Sequence, residues 1–134
     1  MTLTDDTLLG GQVRLRQPAA GFRAALDPVL LAAAIPARPG DTVLEAGCGT
    51  GAAFLCLAAR VPGLVVRAIE RDPALAALAV ANAAANGVGA EVTPGDVRDG
   101  PPGTAFNHAF ANPPYWPGGT ASPRRALAQA AHED

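Results

Sequence analysis

The spacing of apolar and polar positions changes rhythm along this chain, and each change predicts an element. Gln12 to Gln17 carries valine, arginine, leucine and arginine in strict alternation, and Gly10-Gly11 separates it from Thr7 to Leu9. That pattern predicts a small hairpin. Asp27-Pro28 opens a helix as cap and first-turn proline, and Pro36 closes it. Thr42 to Glu45 reads as a short strand running into a glycine-rich turn. A helix then extends to about Arg60, with Phe54, Leu55 and Leu57 on its inner side. Leu64 to Glu70 is almost unbroken in its apolar character, as expected of a parallel strand buried on both faces. Asp72-Pro73 repeats the cap, and its helix runs through Leu75 and Leu78 to Asn86, stopping at Gly87. Ala90 to Thr93 and Ala105 to Ala111 complete the strands, and Ser122-Pro123 caps a last helix through Ala131. Strands alternating with helices in this order predict an α/β domain with a mostly parallel sheet and flanking helices.

Composition narrows the class. A chain of 134 residues is long enough for one core. Its apolar fraction is 49%, yet no apolar run reaches the roughly 18 residues of a membrane span. Without a charged segment followed by an apolar one at the N-terminus, a cytoplasmic protein is expected. The net charge of -2 gives no global footprint for nucleic acid, although Arg14, Arg16 and Arg23 cluster, as do Arg124 and Arg125. Cys48 and Cys56 fit neither a metal site nor a disulfide framework, and no metal is expected.

The candidate chemistry lies at the strand ends. Asn112-Pro113-Pro114-Tyr115 directly follows the strand Ala105 to Ala111. An asparagine oxygen and the first proline's carbonyl can accept both N–H bonds of a planar amine, drawing its lone pair out of conjugation. Two prolines fix the backbone and supply no competing donor, and Tyr115 offers a stacking face. Glu45-Ala46-Gly47-Cys48-Gly49-Thr50-Gly51 joins a strand to a helix, where glycines permit close approach of backbone to a ligand. This turn also satisfies a dinucleotide pattern, and it could be purely structural. Glu70, ending the next strand, can accept two ribose hydroxyls, and Glu45 can face an ammonium group. That pair suits a nucleoside bearing an amino acid better than a pyrophosphate. Asp96 is a candidate acceptor for an adenine amino group, with the Val97 N–H reading the ring; a loop-capping aspartate is the alternative. All these positions open onto one crevice. His108, inside a strand, is expected to pack rather than catalyse.

Together, the Glu45 to Gly51 turn, Glu70, Asp96 and Asn112 to Tyr115 resemble the motifs of class I S-adenosylmethionine-dependent methyltransferases. Leu8 to Gly11, Gln17-Pro18, Gly21 to Arg23, Asp27 to Leu31, Ala81-Asn82 and Asn86-Gly87 are similar to the tRNA adenine-N6 methyltransferases acting on valine tRNA. The resemblance implies a Rossmann-like fold with S-adenosylmethionine held by Glu45, Gly47, Gly49, Gly51, Glu70, Asp96 and Val97. It implies a target amine oriented by Asn112 and Pro113, with Pro114 stiffening the loop and Tyr115 stacking on the base. Gln17, Phe22 and Asp27 would lie near the methionine end or the target pocket. One domain is expected over 1–134: hairpin and helix to 38, cofactor core 39–111, tetrapeptide loop and final helix 112–134. Members of that family continue with further strands, so a truncated member is expected, monomeric or completed by a partner chain at an exposed sheet edge. The implied activity is N6 methylation of adenine in tRNA. Glutamine-N5 methylation of protein, guanine-N2 methylation of rRNA and a non-catalytic binding remnant are the alternatives. A nicotinamide dehydrogenase would leave the tetrapeptide without a purpose.

Overall fold

The computed structural model describes residues 1–20, 26–99 and 105–111. In chain order the elements are β1 (Leu3–Leu8), β2 (Val13–Pro18), α1 (Leu26–Ala34), β3 (Thr42–Ala46), α2 (Ala52–Arg60), β4 (Val65–Glu70), α3 (Pro73–Ala85), β5 (Ala90–Pro94) and β6 (His108–Ala111). The last four strands form a sheet in the order β5-β4-β3-β6, and β1 and β2 form a separate antiparallel hairpin. Every pairing within the larger sheet is parallel. The chain winds outward from β3 through α2 to β4 and through α3 to β5, then returns to the other side of β3. Strand order therefore reverses beside β3, the place where open α/β sheets bind ligands.

The core lies between the sheet and its helices. Phe54, Leu55 and Leu57 of α2 are buried, as their spacing predicts, and they pack with Val43, Val66 and Ala68 of the sheet and with Val13 and Leu15 of β2. A nine-residue helix is marginal alone, so this apolar contact is what sustains α2. At its far end Arg60 donates to the carbonyls of Ala32 and Ile35, satisfying acceptors that α1 leaves open. Helix α3 buries Ala76, Ala79, Asn82 and Ala83. Small residues on that face let the hairpin approach closely.

The hairpin is fastened by side-chain amides. Asn82 accepts from the Arg16 N–H at 2.9 Å and donates to its carbonyl at 2.9 Å. One turn on, Asn86 does the same with Arg14, at 2.8 and 2.7 Å. Four residues of helix rise about 6 Å and two residues of strand about 6.6 Å, so the two spacings nearly coincide. The β2 edge facing away from β1 thus finds partners on a helix.

Several expectations change in detail. The first hairpin strand is Leu3–Leu8 rather than Thr7 to Leu9; its Asp5 and Asp6 gave no strand signal, but Asp5 pairs with Arg16 across the hairpin. Helix α1 begins at Leu26, so Asp27 lies in its first turn instead of capping it, and Pro28 is tolerated there because its missing N–H has no helical partner. β4 is not buried on both faces: Val65 is 44% exposed, and Arg67 beside it pairs with Glu91. β6 is shorter than Ala105 to Ala111. Asn107 takes both backbone groups of Thr42, accepting through its side chain and donating through its N–H, each at 2.8 Å, before the regular ladder starts. β6 borders the sheet on one side among the described residues. The final helix after Ser122-Pro123 lies outside the described residues.

Asp72 caps α3, accepting from Ala74 and Leu75 at 2.9 and 3.3 Å. Asp72→Ala is expected to cost about 1 kcal/mol of stability, read as a lower urea midpoint at unchanged slope.

Candidate functional site

The glycine turn leaves β3 over the carboxyl end of β4. The N–H groups of Gly47 and Cys48 both donate to the Ile69 carbonyl, at 2.8 and 3.0 Å. Gly51 then opens α2 with φ of 95°, and a Cβ there would sit 2.7 Å from the Phe54 ring. Conformation and space both require glycine. Gly49, at φ of 57°, is held differently: its Cβ direction meets nothing within 4 Å among the described residues.

Because Gly51 has no side chain, α2 lacks an ordinary cap. Glu45 supplies one from β3, accepting from the Phe54 N–H at 3.2 Å and placing its carboxyl at the positive end of the helix. Glu45 is only 2% exposed. Burial raises its pKa well above the ordinary range, the Phe54 amide opposes the shift, and the nearby Glu70 charge adds to it. Glu45 thus acts as a cap beneath the turn, and its expected role facing an ammonium group would have to be played from that buried position.

Glu70 reaches the turn from the adjacent strand end. One carboxylate oxygen accepts from Gly49 at 2.7 Å and the other from Asp72 at 2.8 Å. Each oxygen keeps a free lone-pair direction, which is what a pair of ribose hydroxyls requires. Asp96 stands beyond β5, with Val97 beginning a short 3-10 turn. The Asp96 carboxylate accepts from the Arg98 N–H at 2.9 Å and from its guanidinium at 3.0 and 2.6 Å. These bonds pull its pKa down to about 2. An adenine amino group would share Asp96 with Arg98.

The remaining predicted residues divide sharply. Gln17 is buried in the hairpin and donates to Asp6 at 2.9 Å, one residue from the Arg16 backbone that Asn82 grips. Asp27 is exposed at the start of α1. Phe22 and Asn112-Pro113-Pro114-Tyr115 lie outside the described residues, but the strand that leads to the tetrapeptide does not. Ala111, its last described residue, is the register partner of Ala46, the residue before Gly47. His108 opens β6, where its ring lies 3.4 Å from Asp41 at the amino ends of the strands. It therefore begins the strand rather than sitting within it, and it is partly exposed at the end of the sheet opposite the glycine turn. Asn82 was visible only as part of a family pattern; the structure adds its third bond, to the Thr50 carbonyl at 2.9 Å.

Glu45, Glu70 and Asp96 bring three carboxyl groups to the carboxyl ends of β3, β4 and β5. Of the three, Glu70 offers acceptor oxygens at the rim, while Glu45 is buried beneath the turn and Asp96 is paired with Arg98. The residues present fit S-adenosylmethionine chiefly through its ribose, whose hydroxyls Glu70 can accept, and the Glu70 carboxylate opposes a pyrophosphate. Among the described residues no cluster of three His, Cys, Asp or Glu side chains could hold a metal. A concavity of about 350 Å³ at the other end of the strands, lined by Gln12, Leu55, Pro62 and Val88 among others, has no titratable side chain in its lining.

Comparison with known proteins places these features in company. The family described as methyltransferase small domain matches residues 24–133. A tRNA1(Val) (adenine(37)-N6)-methyltransferase of Porphyromonas gingivalis is 33% identical over 129 residues, covering 88% of this chain and 51% of that protein. A release factor glutamine methyltransferase of Deinococcus radiodurans is 40% identical over 75 residues, covering 56% of this chain and 27% of that one. The crystal structure of Pyrococcus horikoshii TYW2 in complex with MeSAdo superposes with a TM-score of 0.63 at 25% identity, covering 75% of this chain and 38% of that chain. The chain spans about half the length of the tRNA-modifying relatives it matches.

Gly51→Ala is expected to cost roughly 1–3 kcal/mol through backbone strain alone, with further loss from the Phe54 clash, measured by chemical denaturation. The pH dependence has a definite sign. Glu45 keeps its proton in the folded chain above the ordinary carboxyl value of 4.5, so the stability it contributes is complete below that value and declines as pH rises through its raised folded value. Glu45→Gln is expected to flatten that decline in a series of melting temperatures from pH 4 upward. Asp96 acts oppositely, its contribution being lost as pH falls from 3.8 toward about 2.

Proposed function

The chain belongs to the methyltransferase small domain family, and we propose that it carries the cofactor site and the amine-activating tetrapeptide of an enzyme that methylates N6 of an adenine in tRNA. The observation that carries this reading is the pairing of Ala46 with Ala111. Ala111, the residue that precedes Asn112 in the sequence, lies beside the residue that precedes Gly47, which supports one crevice for both a methyl donor and its acceptor.

S-adenosylmethionine, when bound, supplies an electrophilic methyl group on a sulfonium. The chain's own residues bind and orient. Glu70 would accept the cofactor's ribose hydroxyls, the backbone of Gly47 and Gly49 would admit the nucleoside, and Asp96 with Val97 would read the adenine. Asn112 and the Pro113 carbonyl accept the two N–H bonds of the target amine, and Tyr115 stacks on its base. Catalysis is then mainly positional, an effect that reaches about 7–11 kcal/mol in favourable cases. No strong general base is required, since the amine becomes acidic as it attacks and its proton can leave to water. An unpaired tRNA base that can be turned out of its stack suits such a pocket.

Support for a nucleic-acid substrate comes from the extent of similarity. The tRNA-modifying relatives match 84–92% of the chain, whereas the glutamine-modifying relative matches 56% of it. Glutamine-N5 methylation is the second reading, favoured by the higher identity within that shorter stretch, and the tetrapeptide serves an amide nitrogen by the same hydrogen-bond logic.

Tritium from labelled S-adenosylmethionine is expected in unmodified tRNA, and Asn112→Ala is expected to reduce its transfer about a hundredfold while cofactor binding by calorimetry stays within about twofold. Label in a release factor and none in tRNA would select the second reading. Absence of binding heat from folded protein would reject the cofactor.

A further inference from the structure

Asn82 is 3% exposed and both polar atoms of its side chain are hydrogen-bonded. Its oxygen accepts from Arg16 N–H, and its two amide hydrogens go to the carbonyls of Arg16 and Thr50, all at 2.9 Å. The side chain thus ties together three segments: α3, the hairpin strand β2 and the glycine turn. Only an amide can do this, since a carboxylate lacks the donors and an aliphatic chain lacks both functions.

The Thr50 carbonyl belongs to the peptide that also carries the Gly51 N–H, which donates to Cys48 at 3.0 Å. Fixing that carbonyl fixes the plane of the peptide and the direction in which the turn enters α2. Glu70 holds the preceding glycine through its N–H. The turn is therefore held from two sides, one by a group that also faces the crevice and one by a group wholly buried behind it.

We infer that Asn82 is a positioning residue that sets the geometry of the cofactor turn and couples it to the N-terminal hairpin. The inference rests on the reading of this turn as the S-adenosylmethionine site. By thermodynamic linkage the coupling runs both ways: cofactor on the turn steadies the hairpin, and disturbance of the hairpin near Gln17 weakens the cofactor's hold. Asn86 supplies the contrast. It grips the same strand at Arg14 and also bonds to the Asn82 carbonyl at 2.7 Å, but none of these bonds goes to the turn.

The test compares Asn82→Ala with Asn86→Ala in the 134-residue chain, by melting temperature, calorimetric titration of S-adenosylmethionine and hydrogen exchange of the 47–53 segment. Asn82→Ala is expected to weaken cofactor binding about tenfold, the loss set by one buried hydrogen bond, and to speed exchange in 47–53. Asn86→Ala is expected to lower the melting temperature while leaving binding and turn exchange within about twofold of the original chain. Equal effects of the two substitutions on the turn, or unchanged turn exchange in Asn82→Ala, would overturn the inference. If Asn82→Ala does not fold, the unmodified chain decides: cofactor should slow exchange at the Arg16 N–H, and no slowing overturns the coupling. If the unmodified chain binds no cofactor, the proposed function fails, and turn exchange in the two variants still decides the role of Asn82.

Discussion

The carbonyl of Ile69 accepts the N–H groups of both Gly47 and Cys48, and the arrangement of the crevice depends on that shared acceptor. It draws the chain sideways as it leaves β3, so the turn crosses the end of β4 instead of running straight on. Glu70, the next residue along β4, then meets the Gly49 N–H. Gly51 can start α2 at the angle that carries Phe54 into the core. A sheet with the same strands and a straighter exit from β3 would leave Glu70 facing solvent and the glycines without a ligand to approach.

Burial and charge are balanced around the turn in an instructive way. Glu45 occupies the interior, where a charged carboxylate is costly, and its one described partner is the amide at the start of α2. Glu70 stands at the rim with both oxygens bonded. Two carboxyl groups of the same type thus serve different ends, one holding the helix and the other available to a ligand. At Asp96 the balance is reversed, since Arg98 already neutralises the carboxylate.

Much of this was legible in the sequence because it depends on periodicity and punctuation. The apolar run ending at Glu70, the Asp72-Pro73 cap and the glycines at 47, 49 and 51 each announce a local geometry. Adjacency of the strand ends followed from the alternation of strands and helices. What could not be read depends on side chains reaching across the fold. Asp5 and Asp6 occupy a strand because a partner strand pairs with them. Glu45 caps a helix it does not belong to. Asn82 and Asn86 resemble surface positions of an alanine-rich helix until β2 is laid beside them.

Those two asparagines also have a consequence for how the chain can vary. They act as a ruler, with one helical turn measured against two strand residues, and both marks align with Arg14 and Arg16 in a single setting. Sliding β2 by one residue would turn Val13 and Leu15 out of the core. Sliding it by two in one sense would keep the apolar face inward but set Pro18, which has no N–H, opposite the buried Asn82. Insertions and deletions should therefore be tolerated at the Gly10-Gly11 bend and before β1, and excluded between Arg14 and Arg16 and between Asn82 and Asn86.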